Sequence, residues 1–304
     1  MKSKYVVIAT TCLFTLGVFA QKDEFKAAEK AFKAQNSAEA KNIIMQSESL
    51  FANVELADKA KFYALKGNVF LDLAKKNVET SKNLDGAASA FQTLITLEEN
   101  EKKKKFTEGA KVSMNEIVGL LVTEAIKLGE VKEFAKAAER LFIAYQLDKT
   151  KEDNLYFAAS YAVNGQDYDK ALEYYDMLKK MNYSGEKTIY SAVNVISNNV
   201  ESFATKEERD QSVKLTLHKD PTDEKVPSKK GEIYGNYALI LIQKGEIEKA
   251  KAAVSEARKL NPDDVSLIVT EANMYFNLND FTTYQKLIGE AVQKDPNNLN
   301  YFST

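Results

Sequence analysis

One helical hairpin is written twice in succession near the end of this chain, and that duplication limits the fold more than any other feature. Residues 231–264 read GEIYGNYALILIQKGEIEKAKAAVSEARKLNPDD, and residues 265–298 read VSLIVTEANMYFNLNDFTTYQKLIGEAVQKDPNN. In register, Pro262 stands over Pro296 at a spacing of 34 residues, with Ala257 over Ala291, Val254 over Ile288, Leu241 over Tyr275 and Ala238 over Ala272. Apolar residues recur at three- and four-residue steps in two runs per copy, so each copy encodes two amphipathic helices. Two such helices carry more apolar face than they can bury against each other, and stability has to come from stacking neighbours.

The period, the small residues at helix-crossing positions and the proline closing each copy resemble the tetratricopeptide repeat (TPR), whose units are helix-turn-helix pairs of this length. Earlier stretches share the pattern. Residues 21–57 form a first helical pair broken at Asn36-Ser37, with Phe25, Ala28, Phe32, Ala40, Ile43 and Ile44 in step. A second pair places Gly67 and Phe70 in one helix and Ala87, Phe91 and Leu94 in the next, with the connection AKKNVETSK longer than a standard turn. A third runs over 105–150 with Ala137, Leu141 and Ala144, and a fourth, NLYFAASYAVNGQDYDKALEYYDMLKKMN, carries Ala158, Tyr161, Gly165, Tyr168, Ala171 and Tyr175. The resemblance implies an all-α fold, a TPR-type α-α superhelical solenoid.

Residues 185–230 break the pattern. TIYSAVNVISNNVESFA is β-branched and aromatic at period two, and Asn198-Asn199 suit a two-residue type I′ turn, so a β-hairpin over 187–204 is expected. Tyr190, Ile196 and Phe203 would dock it on the helices and edge the groove. Thr205 and Glu208 form a capping box for KEERDQSVKLTLH, KDPTDEKVPSKK is expected to be a loop, and Ser228 can cap the next helix. The domain plan is therefore a segment 1–20, repeats over 21–184, the insert 185–230, and repeats over 231–304. In this the chain resembles exported TPR proteins of Gram-negative bacteria. LNYFST at 299–304 falls where a further repeat would begin, so the array is expected to continue or to be covered at that end.

Residues 1–20 carry Lys2 and Lys4, then an apolar run, then Val18 and Ala20 before Gln21, the layout of a signal peptide cleaved after Ala20. The run from Tyr5 to Ala20 is shorter than the roughly 20 residues that span a bilayer. Cleavage leaves 40 basic against 44 acidic residues, a net charge of −4, without a broad basic field for nucleic acid. The chain's one cysteine, Cys12, lies in the removed segment and lacks the residues that precede a lipid-anchor cysteine. A periplasmic or secreted protein is expected, with no membrane span after cleavage.

Chemistry is sparsely provided. His218 is the one histidine, placed by the sequence near the end of the insert's helix, where a cation suits the macrodipole. No phosphate-binding glycine motif is present, and acids such as Asp263-Asp264 sit where they cap helices. The expectation is no enzyme, no cofactor and no metal. The resemblance implies a scaffold binding a protein or peptide in a groove lined by the second, fifth, ninth, twelfth and thirteenth residues of each first helix. Those positions are Lys61, Ala64, Asn68, Leu71 and Asp72; Glu232, Gly235, Leu239, Ile242 and Gln243; and Ser266, Val269, Asn273, Phe276 and Asn277. The favoured candidates are Asn68, Leu71, Glu232, Leu239, Ile242, Asn273, Phe276 and Asn277. The lysines of a carboxylate clamp are missing. A glycan- or nutrient-binding component at the cell surface is the competing reading.

Overall fold

In the computed structural model, which describes residues 22–52, 54–102 and 104–296, the chain divides into two compact units, 1–161 and 162–304. The cleavage site, Cys12 and the terminal LNYFST lie outside the described residues. The helices are α1 (22–33), α2 (Ser37–Ser47), α3 (Leu56–Lys75), α4 (Thr80–Glu98), α5 (Thr107–Glu130), α6 (Phe134–Leu147), α7 (Glu152–Asn164), α8 (Tyr168–Lys180), α9 (Lys206–Lys214), α10 (Lys230–Gln243), α11 (Ile247–Leu260), α12 (Val265–Asn277) and α13 (Phe281–Lys294). Strands β1 (Lys187–Asn194), β2 (Val200–Phe203) and β3 (His218–Val226) interrupt them between α8 and α10. The fold is a succession of helical hairpins carrying a small antiparallel sheet. Among the described residues no helix is long and apolar enough to cross a membrane.

One backbone device makes the hairpins. At the end of α1, α3, α5, α7, α10 and α12 a residue takes a left-handed φ: Gln35, Asn77, Lys132, Gln166, Gly245 and Asn279; the α3–α4 turn has a second, Glu79, just before α4. Two hydrogen bonds accompany each of these helix ends. In the α5–α6 turn Lys132 N–H donates to Gly129 O (3.0 Å) and Glu133 N–H to Leu128 O (2.8 Å); in the α10–α11 turn Gly245 and Glu246 donate to Ile242 O (2.9 Å) and Leu241 O (2.8 Å). This is the Schellman closure, which satisfies carbonyls the helix leaves open. Asn36, Asp167 and Asp280 then cap the following helices by accepting from Glu39, Lys170 and Thr283 N–H. The same turn serves the second pair, so its extra residues lie in longer helices. The connection expected over AKKNVETSK shrinks to 76–79.

In the first unit one continuous core runs from Ala28 to Ala144 and includes Ile44, Phe62, Leu84, Leu94, Ile117 and Leu121. Helices α3 and α4 lock through reciprocal notches. A Cβ on Gly67 would lie 2.6 Å from the Phe91 ring, and a Cβ on Gly86 would collide with the Phe70 ring, both rings being buried. Polar staples sit between pairs. The buried Glu98, at the end of α4, accepts from Phe106 N–H (3.0 Å), Thr107 N–H (2.9 Å) and Thr107 Oγ1 (2.7 Å), so it caps α5 from outside. Burial opposes its ionisation, but these hydrogen bonds outweigh burial and hold its carboxyl below the ordinary value. Arg140 of α6 reaches Asp85 of α4 at 2.7 Å.

In the second unit α10, α11, α12 and α13 pack as two hairpins. Arg258 of α11 ties Glu271 of α12 to Glu290 of α13, the latter at 2.6 Å. Ile288 and Ala291 of α13 are buried with Ile268 and Ala272 of α12; Phe281 stays exposed.

The insert differs from its sequence reading in three ways. The sheet order is β2-β1-β3, so the segment expected as a loop, KDPTDEKV, is a strand that pairs with β1 from Lys187↔Val226 to Asn194↔His218. Pro221 is tolerated because β3 is an edge strand and a bulge falls there, with Asp220 at φ 51°. The β1–β2 connection is the five-residue 195–199, with a left-handed residue at Asn198 alone, and not a two-residue turn. Third, the hairpin's aromatics pack within the insert: Arg209 of α9 lies 5.9 Å from the Tyr190 ring, Phe203 meets the His218 ring edge-on at 5.0 Å, and Ile196 is 88% exposed. Helix α9 is shorter than expected, ending at Lys214; Thr205 Oγ1 caps it by accepting from Glu208 N–H (3.2 Å).

Three outcomes follow from this packing. Lys132→Gly should raise stability by about 0.5–1 kcal/mol, because a left-handed residue without Cβ relieves strain at the turn. Gly86→Ala should do the opposite: the helix-propensity gain of about 1 kcal/mol is exceeded by overpacking of about 1–3 kcal/mol against Phe70. Chemical denaturation reads both signs. Glu98→Ala should cost about 1–3 kcal/mol at neutral pH by orphaning three donors. Its lowered pKa means the contribution is full above the unfolded value near about 4.3 and is lost as pH falls through the folded value, so the wild-type and variant melting curves should converge in acid.

Candidate functional site

Helices α10 and α12, the first helices of the two in-register repeats, meet where Gly231 has no side chain. A Cβ there would lie 2.7 Å from Ser266 Oγ, and Thr270 Oγ1 donates to Gly231 O at 2.9 Å. Beside this contact the two helices enclose a groove of about 430 Å³. Glu232, Gly235, Asn236 and Leu239 line it from α10, and Ser266, Val269 and Asn273 from α12; Ala238, Thr270 and Met274 also line it. Leu239 keeps more than a third of its surface exposed.

Six expected groove positions converge here: Glu232, Gly235, Leu239, Ser266, Val269 and Asn273. The others do not. Ile242 is half-buried against the cluster of Ala238, Leu241 and Val254. Phe276 turns onto α13, its ring 5.6 Å from Phe281 and 5.3 Å from Tyr284, because that helix offers an aromatic partner where the groove offers solvent. Asn277 Nδ2 donates to Asn273 O at 2.8 Å.

In the first unit Leu71 is 5% exposed and belongs to the core, since nine buried positions on α3 leave it no free side there. Asp72 accepts from Ser37 Oγ at the start of α2 and pairs with Lys76 at 2.7 Å. Lys61 Nζ lies 4.6 Å from the Phe25 ring centroid. Asn68 remains exposed. Family positions read along a single helix missed Asn236, Thr270 and Met274. Asn236 lies four residues after the expected Glu232, and Thr270 four residues after Ser266, so helical neighbourhood would have found both.

Behind the groove α8 supplies a polar aromatic layer. Asn236 Nδ2 donates to Tyr175 Oη at 3.0 Å, and burial pushes the Tyr175 hydroxyl up to about 12, Glu232 adding to the rise. Lys179 Nζ stands 3.5 Å over the Tyr237 ring, whose hydroxyl is pushed up to about 12 by burial and by the Asp176 carboxylate. These groups tie α8 to α10. Among the described residues no cluster of histidine, cysteine or acid could hold a metal ion.

His218 is not at a helix end. It opens β3, is buried, and joins Ser212 Oγ of α9 (Nδ1, 2.6 Å) to Glu201 of β2 (Nε2, 2.9 Å). The serine, imidazole and carboxylate bind three elements of the insert to one another. Ser228 Oγ accepts from Lys230 N–H at 3.2 Å and donates to Asp264, also at 3.2 Å, linking the end of the insert to the start of α12.

No protein-family model matches the chain, and comparison with curated proteins gave no match. Among solved structures the chain is similar to MamA, with 14% identity over 72% of this chain and 92% of that one and a TM-score of 0.36. It is similar to residues 41 to the end of MamA from Desulfovibrio magneticus RS-1, with 12% identity over 81% and 99% and a TM-score of 0.37. Pseudomonas aeruginosa pilF is a third, with 11% identity over 94% and 96% and a TM-score of 0.33.

Proposed function

We propose that this chain is a non-enzymatic scaffold that holds an extended or helical segment of a partner protein in the α10–α12 groove, and that it does so outside the cytoplasm. One observation carries the binding reading: six positions that the resemblance to the tetratricopeptide repeat implies for two successive repeats line one cavity, where an exposed leucine sits beside polar side chains. Leu239 and Val269 offer apolar contact, while the Asn273 amide, exposed and without a side-chain hydrogen bond among the described residues, can pair with a partner's backbone. That chemistry suits a peptide better than a sugar, which would call for exposed aromatic faces in the groove, and none of the lining residues is aromatic. The location rests on the layout of residues 1–20.

A photo-crosslinking residue at 239 or 273 in intact cells should capture a protein. With that partner in hand, Leu239→Glu combined with Asn273→Ala should weaken binding by about tenfold or more while the melting temperature holds, and Phe276→Glu should leave affinity unchanged. Undiminished binding by a folded double variant overturns the groove assignment, and a positive glycan array in place of a crosslinked protein overturns the partner class.

A further inference from the structure

The insert ends in a knob that its own core does not cover. Ile196, in the 195–199 loop, is 88% exposed, Val200 69%, Leu215 59% and Leu217 53%, and Val195 is exposed beside them. Backbone contacts bring these residues together: Val195 N–H donates to Leu217 O at 3.1 Å, Val200 is the cross-strand partner of Val193, and Leu215 closes α9 next to Thr216 and Leu217. Neither NVISNNV (194–200) nor LTL (215–217) contains a charge, in a chain that is 28% charged. Single exposed aliphatics are ordinary, whereas five at one end of a three-stranded sheet call for an explanation.

The surroundings select among occupants. A side chain as exposed as Ile196, on a loop beyond the strand ends, projects outward and forms no cleft for a peptide anchor. Lys214 and Lys219 bracket the LTLH segment, and both are exposed. The neighbouring carboxylates are engaged: Glu201 with His218 and with Asn194 Nδ2 (2.9 Å), Asp210 and Asp223 with Arg209 (2.6 and 2.8 Å). Asp220 at the bulge offsets one of the two lysines. Aliphatic side chains flanked by long-stemmed cations match the boundary of an anionic bilayer, where the former enter the acyl region and the ammonium groups reach the phosphates.

We propose that Val195, Ile196, Val200, Leu215 and Leu217 form a shallow docking site for an anionic lipid surface. The site belongs to the insert alone and stands independently of the groove.

The chain has no tryptophan, so Ile196→Trp places a single reporter in the full-length protein, and its response is separate from any affinity of residues 1–20 for lipid. On mixing with vesicles of phosphatidylcholine and phosphatidylglycerol, its emission should shift to the blue and be quenched by acyl-brominated lipid. Val112→Trp, at an exposed position on α5, should not respond. Lys214→Gln and Lys219→Gln should each weaken vesicle binding by about fivefold, and adding Leu215→Asp and Leu217→Asp to the reporter chain should abolish the shift. Circular dichroism checks that the aspartate variant folds; if it does not, the glutamine variants carry the test. No shift with these vesicles overturns the proposal. So does a shift that appears without vesicles and grows with protein concentration, which would assign the knob to a second copy of the chain.

Discussion

The geometry of both units depends on a backbone reversal that spends one left-handed residue and two hydrogen bonds. An α-helix leaves its last carbonyls without partners, and a following helix can pack back on it only if the chain turns within a few residues. The Schellman closure meets both demands, and it recurs from Gln35 to Asn279, ending α8 and α9 as well through Asn182 and Thr216. One of the six hairpin turns uses glycine. Two of the others, Asn77 and Asn279, use a residue that tolerates the left-handed region, whereas Gln35, Lys132 and Gln166 place side chains that avoid it, so at these three the turn is imposed by packing of the two helices and not by local preference.

Once the hairpins are closed, their spacing is set by what the side chains allow. Phe91 occupies the space over Gly67, and Phe70 that over Gly86, so α3 and α4 interlock at two levels. Gly231 performs the same service for α10 and α12, and with Thr270 bonded to its carbonyl it sets where the groove opens. Charged groups between hairpins, Glu98, Arg140 and Arg258, are each held by more than one partner or by a short ion pair, which is the condition under which burying them is tolerable.

The insert follows different rules because it brings its own layers. Helix α9 covers one part of the sheet with Arg209, itself bound to Asp210, Asp223 and Thr222 O, while His218 closes the strands onto the helix. Its edges are managed unequally. β3 carries Pro221, a bulge and a run of charges, all of which discourage further strand pairing, whereas the loop end near β2 is aliphatic and bare.

Local periodicity was sufficient to determine the helical hairpins and their order, because a 3.6-residue pattern is a property of each segment alone; Glu232, Leu239 and Asn273 became groove candidates through the resemblance to the tetratricopeptide repeat. Tertiary structure decided the rest. Leu71 and Phe276 hold positions equivalent to groove residues, yet the first is enclosed by the core and the second is drawn onto the α13 aromatics, since a helix position has several possible neighbours and only the packed array selects one. KDPTDEKV shows no strand pattern and still pairs with β1, because an edge strand is specified by the hydrogen bonds its neighbour leaves open. Ser212, Glu201 and His218 are scattered over 17 residues and meet only when α9 folds back between β2 and β3. Non-local pairing of this kind leaves no periodic trace in the chain.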